Sequence, residues 1–115
     1  MADCLFCRIA AGEIPSQKVY EDDQVLAFRD IAPQAPVHVI VIPKKHVMSS
    51  MNDYDARQGE VIAAVFSAIR KIAESEGIAE SGYRIVNNCG DDAAQTVKHL
   101  HFHLLGGKFL GENIC

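Results

Sequence analysis

Three of the five histidines fall at positions 99, 101 and 103. Successive side chains of an extended strand alternate faces, so His99, His101 and His103 share one face and Leu100, Phe102 and Leu104 the other. Neighbouring imidazoles in such a row lie roughly 7 Å apart at Cα. A buried imidazole needs a partner for each ring nitrogen, so three in a row are costly unless they are used. Two chemistries suit the row. One is a metal site, because neutral imidazole binds zinc, copper and iron. The other is nucleophilic catalysis, in which one imidazole attacks while its neighbours fix tautomer and charge. Just upstream, Asn88, Gly90, Gln95 and Thr96 offer amide, hydroxyl and backbone N–H donors suited to an anion such as phosphate. Those donors favour catalysis; the spacing alone leaves a metal open.

A second group is Cys4 and Cys7, spaced as half a zinc site or as a redox pair. A redox pair needs a preceding strand, and three residues are too few to form one. Zinc needs two further ligands, which the histidines can supply. The plain alternative is two small, partly buried residues on a short helix. The N-terminus has no basic and apolar leader pattern, so the thiols are expected to be reduced in a cytoplasmic protein. Cys89 and Cys115 carry no readable signal.

Residues 4–11 read as a short helix stopped by Gly12. Strands are expected at Lys18–Glu21 and Val25–Arg29, joined by a turn at Asp22 and Asp23. The β-branched run 37–42, ended by Pro43, reads as a buried strand, followed by a loop over 44–51. Asn52 or Asp53 is placed to cap a long helix running to about Glu76, with Gly77 ending it. Val61, Val65, Ile69 and Ile72 form its apolar stripe, widened by Ile62, Phe66 and Ala73, and its charged side is a solvated face. Two more strands are expected at 83–88 and 97–105, separated by a loop at 89–94. The pattern predicts an α+β fold with a five-stranded antiparallel sheet, one long helix and a short N-terminal helix. It predicts one domain over 1–115, with 106–115 as its tail.

Composition narrows the classes further. The chain has 115 residues, 49% of them hydrophobic, enough for a core without staples. Eleven basic against fifteen acidic residues leave a net charge of −4, which argues against gripping nucleic acid by charge. Its apolar runs are only a few residues long against the roughly 20 a membrane span needs, so no membrane partner is expected.

The segment His99-Leu100-His101-Phe102-His103-Leu104-Leu105 resembles the His-φ-His-φ-His-φ-φ signature of the histidine triad (HIT) superfamily. Glu13-Ile14-Pro15, Ala27-Phe28-Arg29-Asp30-Ile31, Pro33-Gln34-Ala35-Pro36, His38, Val41-Ile42-Pro43-Lys44 and Gly82-Tyr83-Arg84 are similar to its Hint branch. The similarity runs from about Phe6 to Gly107. Leu105-Gly106-Gly107 resembles Hint proteins, whereas the dinucleoside polyphosphate hydrolases of the Fhit branch typically carry Pro-Arg there. The N-terminal Cys-x-x-Cys resembles that of zinc-containing, bacterial-type relatives.

The resemblance implies a HIT-like fold and hydrolysis of purine nucleoside 5′-phosphoramidates, and of aminoacyl-adenylates, releasing AMP or GMP. It makes His101 the nucleophile that forms a nucleotidyl-imidazole, supported by His99, His103 and His38. It gives Asp30 the ribose hydroxyls with Ile31 beside it, and Phe6, Ile9, Ile14 and Phe28 the purine pocket. Asn88, Gln95 and Thr96 fall around the phosphate and leaving group. Catalysis needs no cofactor. A structural zinc would take Cys4, Cys7, His46 and His99, which would make His99 a ligand and not a catalytic support. The expected partners are a purine nucleotide and a second copy, the homodimer continuing the sheet and placing the tail near the partner's active site. Two alternatives stand beside this reading: a dinucleoside polyphosphate hydrolase, and a catalytically weak nucleotide-binding regulatory or scaffold protein. The second gains from two departures from the family pattern. Ala94 stands where Gly is common, and Asp91 and Asp92 put negative charge beside an anion site.

Overall fold

The structure, a computed structural model, describes residues 4–114; residues 1–3 and Cys115 lie outside them. Its elements are α1 (Leu5–Ala10), β1 (Lys18–Glu21), β2 (Val25–Arg29), β3 (Val37–Pro43), α2 (Gly59–Ser75), β4 (Tyr83–Val86) and β5 (Phe102–Gly106). The strands form one sheet in the order β1-β2-β3-β5-β4, and every neighbouring pair is antiparallel. This is the α+β architecture expected from the pattern. β3 lies at the centre and is buried along nearly its whole length, as a β-branched run with no polar face must be.

Alternation along β2 and β3 divides the core between the two faces of the sheet. Val25, Ala27, Val39 and Val41 point towards α2, where they meet Val65, Ala68, Ile69, Ile72 and Ala73. Leu26, Phe28, Ile40 and Ile42 point the other way and are covered by Phe6 and Ile9 of α1. His38 shares this second face by alternation on β3, and His103 shares it through its pairing opposite Ile40. Leu100, Phe102 and Leu104 belong to the α2 side. The two-sided reading of the histidine segment is therefore the observed one.

The expected long helix begins later than Asn52 or Asp53. A single turn of 3-10 helix at Met51–Asp53 is capped by Ser50, and a second at Ala56–Gln58 is capped by Asp55. The Gln58 side chain accepts from the Asp55 N–H, closing a capping box. Tyr54, between the turns, is extended (φ −67°, ψ 137°), so the α-helix starts only at Gly59. Side-chain caps have outcompeted the helix here. The buried stripe is also narrower than expected, because Val61 is only half-buried and Phe66 is 45% exposed.

Two strand ends differ as well. β4 stops at Val86, short of Asn88, and β5 begins at Phe102, not Val97. The stretch before β5 turns to the loop after β3: the Leu100 N–H donates to Met48 O (2.9 Å). β5 closes on Gly106 and Gly107, where larger residues do not fit. A Cβ on Gly106 would lie 2.8 Å from Ile78, and Gly107 has φ +92° with Pro36 at 3.0 Å from such a Cβ. No helix among the described residues is long and apolar enough to cross a membrane.

Candidate active site and metal-ligand cluster

His38, His99 and His101 are buried and His103 is half-buried. Their partners assign the proton on each ring. The His101 Nδ1 lies 2.8 Å from the carbonyl oxygen of His99. A carbonyl only accepts, so His101 carries its proton on Nδ1 and presents a bare lone pair on Nε2. His38 Nδ1 accepts from the Gln34 N–H (3.0 Å), which leaves its proton on Nε2. That proton points at His103 Nδ1 (2.9 Å), with Asp30 Oδ2 at 3.4 Å. His103 Nδ1 is thus an acceptor, and its own proton sits on Nε2. The histidine cluster offers a lone pair on one ring and an N–H on the next. The ring centroids of His101 and His103 are 5.3 Å apart.

Burial pushes the pKa of His101 below the ordinary imidazole value, opposed by its bond to the His99 carbonyl and by the charge of Asp30. The same desolvation lowers His103, reinforced by the neighbouring His101 and His38. Both rings are therefore neutral at neutral pH, in keeping with the tautomers above.

Asp30 follows β2, with its Oδ1 accepting from the Ala32 N–H (2.8 Å) and its backbone N–H donating to His38 O (3.0 Å). Phe6, Ile9 and Phe28 pack in one cluster with Ile14 at its margin. Phe6 stands edge-on to Phe28 at 5.6 Å and to His101 at 5.0 Å. Of the apolar residues expected to form a base pocket, Phe6 adjoins His101. Ile31 does not join them, being fully exposed.

Thr96 is exposed and Asn88 half-buried. Gln95 is buried with its amide occupied by backbone. It donates from Nε2 to Ser49 O (2.6 Å) and Val97 O (3.1 Å), and its Oε1 accepts from the Gly90 N–H (3.0 Å). Gln95 therefore fastens the 90–95 loop to the loop after β3. Ala94 adopts the left-handed conformation that a glycine would (φ 58°, ψ 39°) at the end of a 3-10 turn over Asp91–Ala93. That conformation costs a residue with a Cβ roughly 1–2 kcal/mol. Lys98 lies across the loop, bonded to Gln95 O (2.9 Å) and 3.7 Å from Asp91.

At the other end of the row, Cys4 and Cys7 Sγ and the Nδ1 atoms of His46 and His99 all lie within 4.8 Å of one another. His99 Nε2 donates to Pro43 O (2.8 Å), so its Nδ1 lone pair faces Cys4 Sγ (3.3 Å) and Cys7 Sγ (3.5 Å). His46 Nε2 is bonded to Ser49 Oγ (3.0 Å). Two thiols and two imidazoles, each ring with its second nitrogen bonded elsewhere, are a ligand set and outer shell suited to a tetrahedral metal. These four residues can hold a metal ion. Burial, followed by the neighbouring Cys4 thiol, pushes Cys7 up to about 11. Asp30, His38 and His103 also converge, but there the His38 Nε2 proton occupies the space between the rings. That group is a hydrogen-bonded chain.

Five partners in the site were not read from the sequence. The Gln34 N–H and the Pro43, Ser49 and His99 carbonyls are backbone groups, which residue type does not advertise. Asn87, whose side chain bonds the His101 carbonyl, lies within the expected strand 83–88, where nothing in its type marks that role.

The HIT domain family profile matches residues 11–110. The chain is 46% identical over 109 residues to the purine nucleoside phosphoramidase of Escherichia coli K12, spanning 95% of this chain and 91% of that protein. It is 45% identical to a 14 kDa zinc-binding protein of Zea mays, spanning 90% of this chain and 81% of that one. Identity to the adenylylsulfatase HINT1 of Arabidopsis thaliana is 43%, over 90% of this chain and 71% of that one. Among solved structures, a HIT family hydrolase from Clostridium thermocellum superposes with a TM-score of 0.96 at 45% identity, covering 100% of this chain and 99% of that one. The chain belongs to the HIT family, as a hydrolase of its Hint-like branch.

Proposed function

We propose that the protein hydrolyses the P–N bond of purine nucleoside 5′-phosphoramidates, and the corresponding bond of aminoacyl-adenylates, through a covalent nucleotidyl-His101 intermediate. The observation that carries this reading is the Nδ1 bond from His101 to the His99 carbonyl, which commits the Nε2 lone pair to attack. The Nε2 atom bonds to phosphorus as the P–N bond breaks and the amine departs with a proton taken from solvent; from an aminoacyl-adenylate the P–O bond breaks and the carboxylate departs as the anion. Water then cleaves the P–Nε2 bond and AMP or GMP is released. As phosphorus becomes five-coordinate, charge gathers on its oxygens, and the His103 Nε2–H is a pre-aimed donor for it. His38, fixed by the Gln34 N–H, keeps His103 in that tautomer.

In this reading Phe6, Ile9, Ile14 and Phe28 take the purine and Asp30 the ribose hydroxyls, with Ile31 at the open edge. Asn88 and Thr96 address the phosphate and leaving group, and Gln95 shapes the loop that presents them. Zinc on Cys4, Cys7, His46 and His99 would be four-coordinate and closed, hence structural, and the reaction itself uses no cofactor. The whole chain acts as one domain in the cytoplasm and pairs with a second copy across the free edge of β4. There Tyr83 and Ile85 of the edge strand and Phe66 of α2 are exposed, at 38%, 39% and 45%.

The test is steady-state hydrolysis of an adenosine 5′-phosphoramidate by the wild type and by His101→Ala, with metal content measured on the same preparations. Turnover that vanishes in the variant at unchanged metal content is expected. Absence of wild-type turnover together with AMP binding would overturn the enzyme reading in favour of a nucleotide-binding regulatory protein.

A further inference from the structure

We infer that Asn87 is a positioning residue for the nucleophile, an inference that rests on the proposed reaction. The strand ladder stops short of His101 on both sides. β4 pairs with β5 up to Val86 opposite His103, and β3 pairs with it up to Val41 opposite Phe102. The His101 carbonyl is thus the first acceptor beyond the ladder. In its place the Asn87 side chain supplies the donor, with Nδ2 2.9 Å from His101 O.

The consequence reaches the reacting atom through short covalent paths. The Asn87 bond fixes the peptide plane that follows His101, while the ring of His101 is tethered through Nδ1 to the carbonyl of His99. Phe6 closes on the ring at 5.0 Å. Of these restraints, only the Asn87 bond ties His101 to the segment that leaves β4. Without it, the backbone of His101 can swing about the first paired residue, Phe102, and the Nε2 lone pair loses its aim. In-line attack tolerates such misplacement poorly: an error of about 1 Å costs on the order of a hundredfold in rate.

Asn87→Asp and Asn87→Ala test this. The aspartate has the shape of the native side chain but, when ionised, no proton to donate. Both variants are expected to lower kcat for an adenosine 5′-phosphoramidate roughly ten- to hundredfold, with KM within about threefold of wild type. The number of AMP sites per chain, measured by calorimetry, stays that of wild type. The downfield proton NMR resonance of the His101 Nδ1–H should broaden or vanish in both. Wild-type kcat and an unchanged resonance in Asn87→Asp would overturn the inference. So would a fall in kcat matched by an equal loss of AMP sites, which marks a general folding role. The resonance decides the matter even if the wild type fails to turn over the phosphoramidate, a failure that would instead fault the proposed reaction.

Discussion

The two ends of the histidine row are held by different means. His38 and His103 sit on β3 and β5, where antiparallel pairing sets their separation residue by residue. His99 lies outside the ladder and is held by side-chain contacts to Pro43 O and to the thiols of Cys4 and Cys7. His101 stands between, one residue before the ladder begins. A site can therefore draw its precision from sheet register on one side and from a ligand cluster on the other. The first is robust because its cost is shared over a cooperative sheet. The second depends on a few groups, and so is easier to perturb without unfolding the chain.

The sharpest break in this comparison is at the ladder end. In the proposed reaction His103 donates to the charge at phosphorus, so His103→Ala is expected to lower kcat by about 10²–10³, the scale of a lost oxyanion donor. Steady-state kinetics with far-ultraviolet circular dichroism would check that the sheet survives. At the loop end, Cys4→Ser with Cys7→Ser should abolish metal binding and lower thermal stability. A metal at a hundred times its Kd contributes about 2.7 kcal/mol, which chelation of the wild type should remove by calorimetry. Turnover should fall much less than in His103→Ala, because His99 keeps its Pro43 bond. An equal fall would erase the distinction between the two ends.

A smaller effect concerns pH. Burial holds His101 and His103 below the ordinary imidazole value of 6.5, and the proposed attack requires a neutral His101. The rate kcat/KM should therefore be flat through pH 7 and fall only as pH drops through a value below 6.5. An acid limb at or above 6.5 would contradict a desolvated nucleophile. The smallest effect is at Ala94. Glycine there relieves the left-handed strain but enlarges the unfolded ensemble, so Ala94→Gly should stabilise by only about 0.5 kcal/mol. Chemical denaturation would measure it, and activity should hardly change, since the loop already has the conformation glycine favours.

Legibility followed the range of the forces involved. β1 and β2 run over the residues expected, because Asp22 marks the turn by accepting from the Gln24 and Val25 N–H groups. The two faces of the His99–His103 segment were equally readable, since alternation is a property of extended backbone whether or not it is paired. The start of α2 was misplaced because Ser50 and Asp55 each cap a separate short turn, and apolar periodicity does not register that competition. Gln95 is a third case. Its residue type suggested a ligand contact, whereas burial between two loops commits its amide to three backbone groups.

The sequence by itself determined the sheet-and-helix pattern, the common face of the three histidines and the Cys4-x-x-Cys7 half of a ligand set. Each of these depends on residue type at short spacing. Only the tertiary structure decided which ring nitrogen carries a proton, because the deciding partners are the carbonyls of Pro43 and His99 and the N–H of Gln34. It alone brought Cys4 to His99, 95 residues apart in the chain, and placed Asn87 against the carbonyl of His101, the proposed nucleophile. Backbone groups are the same at every position, so their role is set by where the fold puts them.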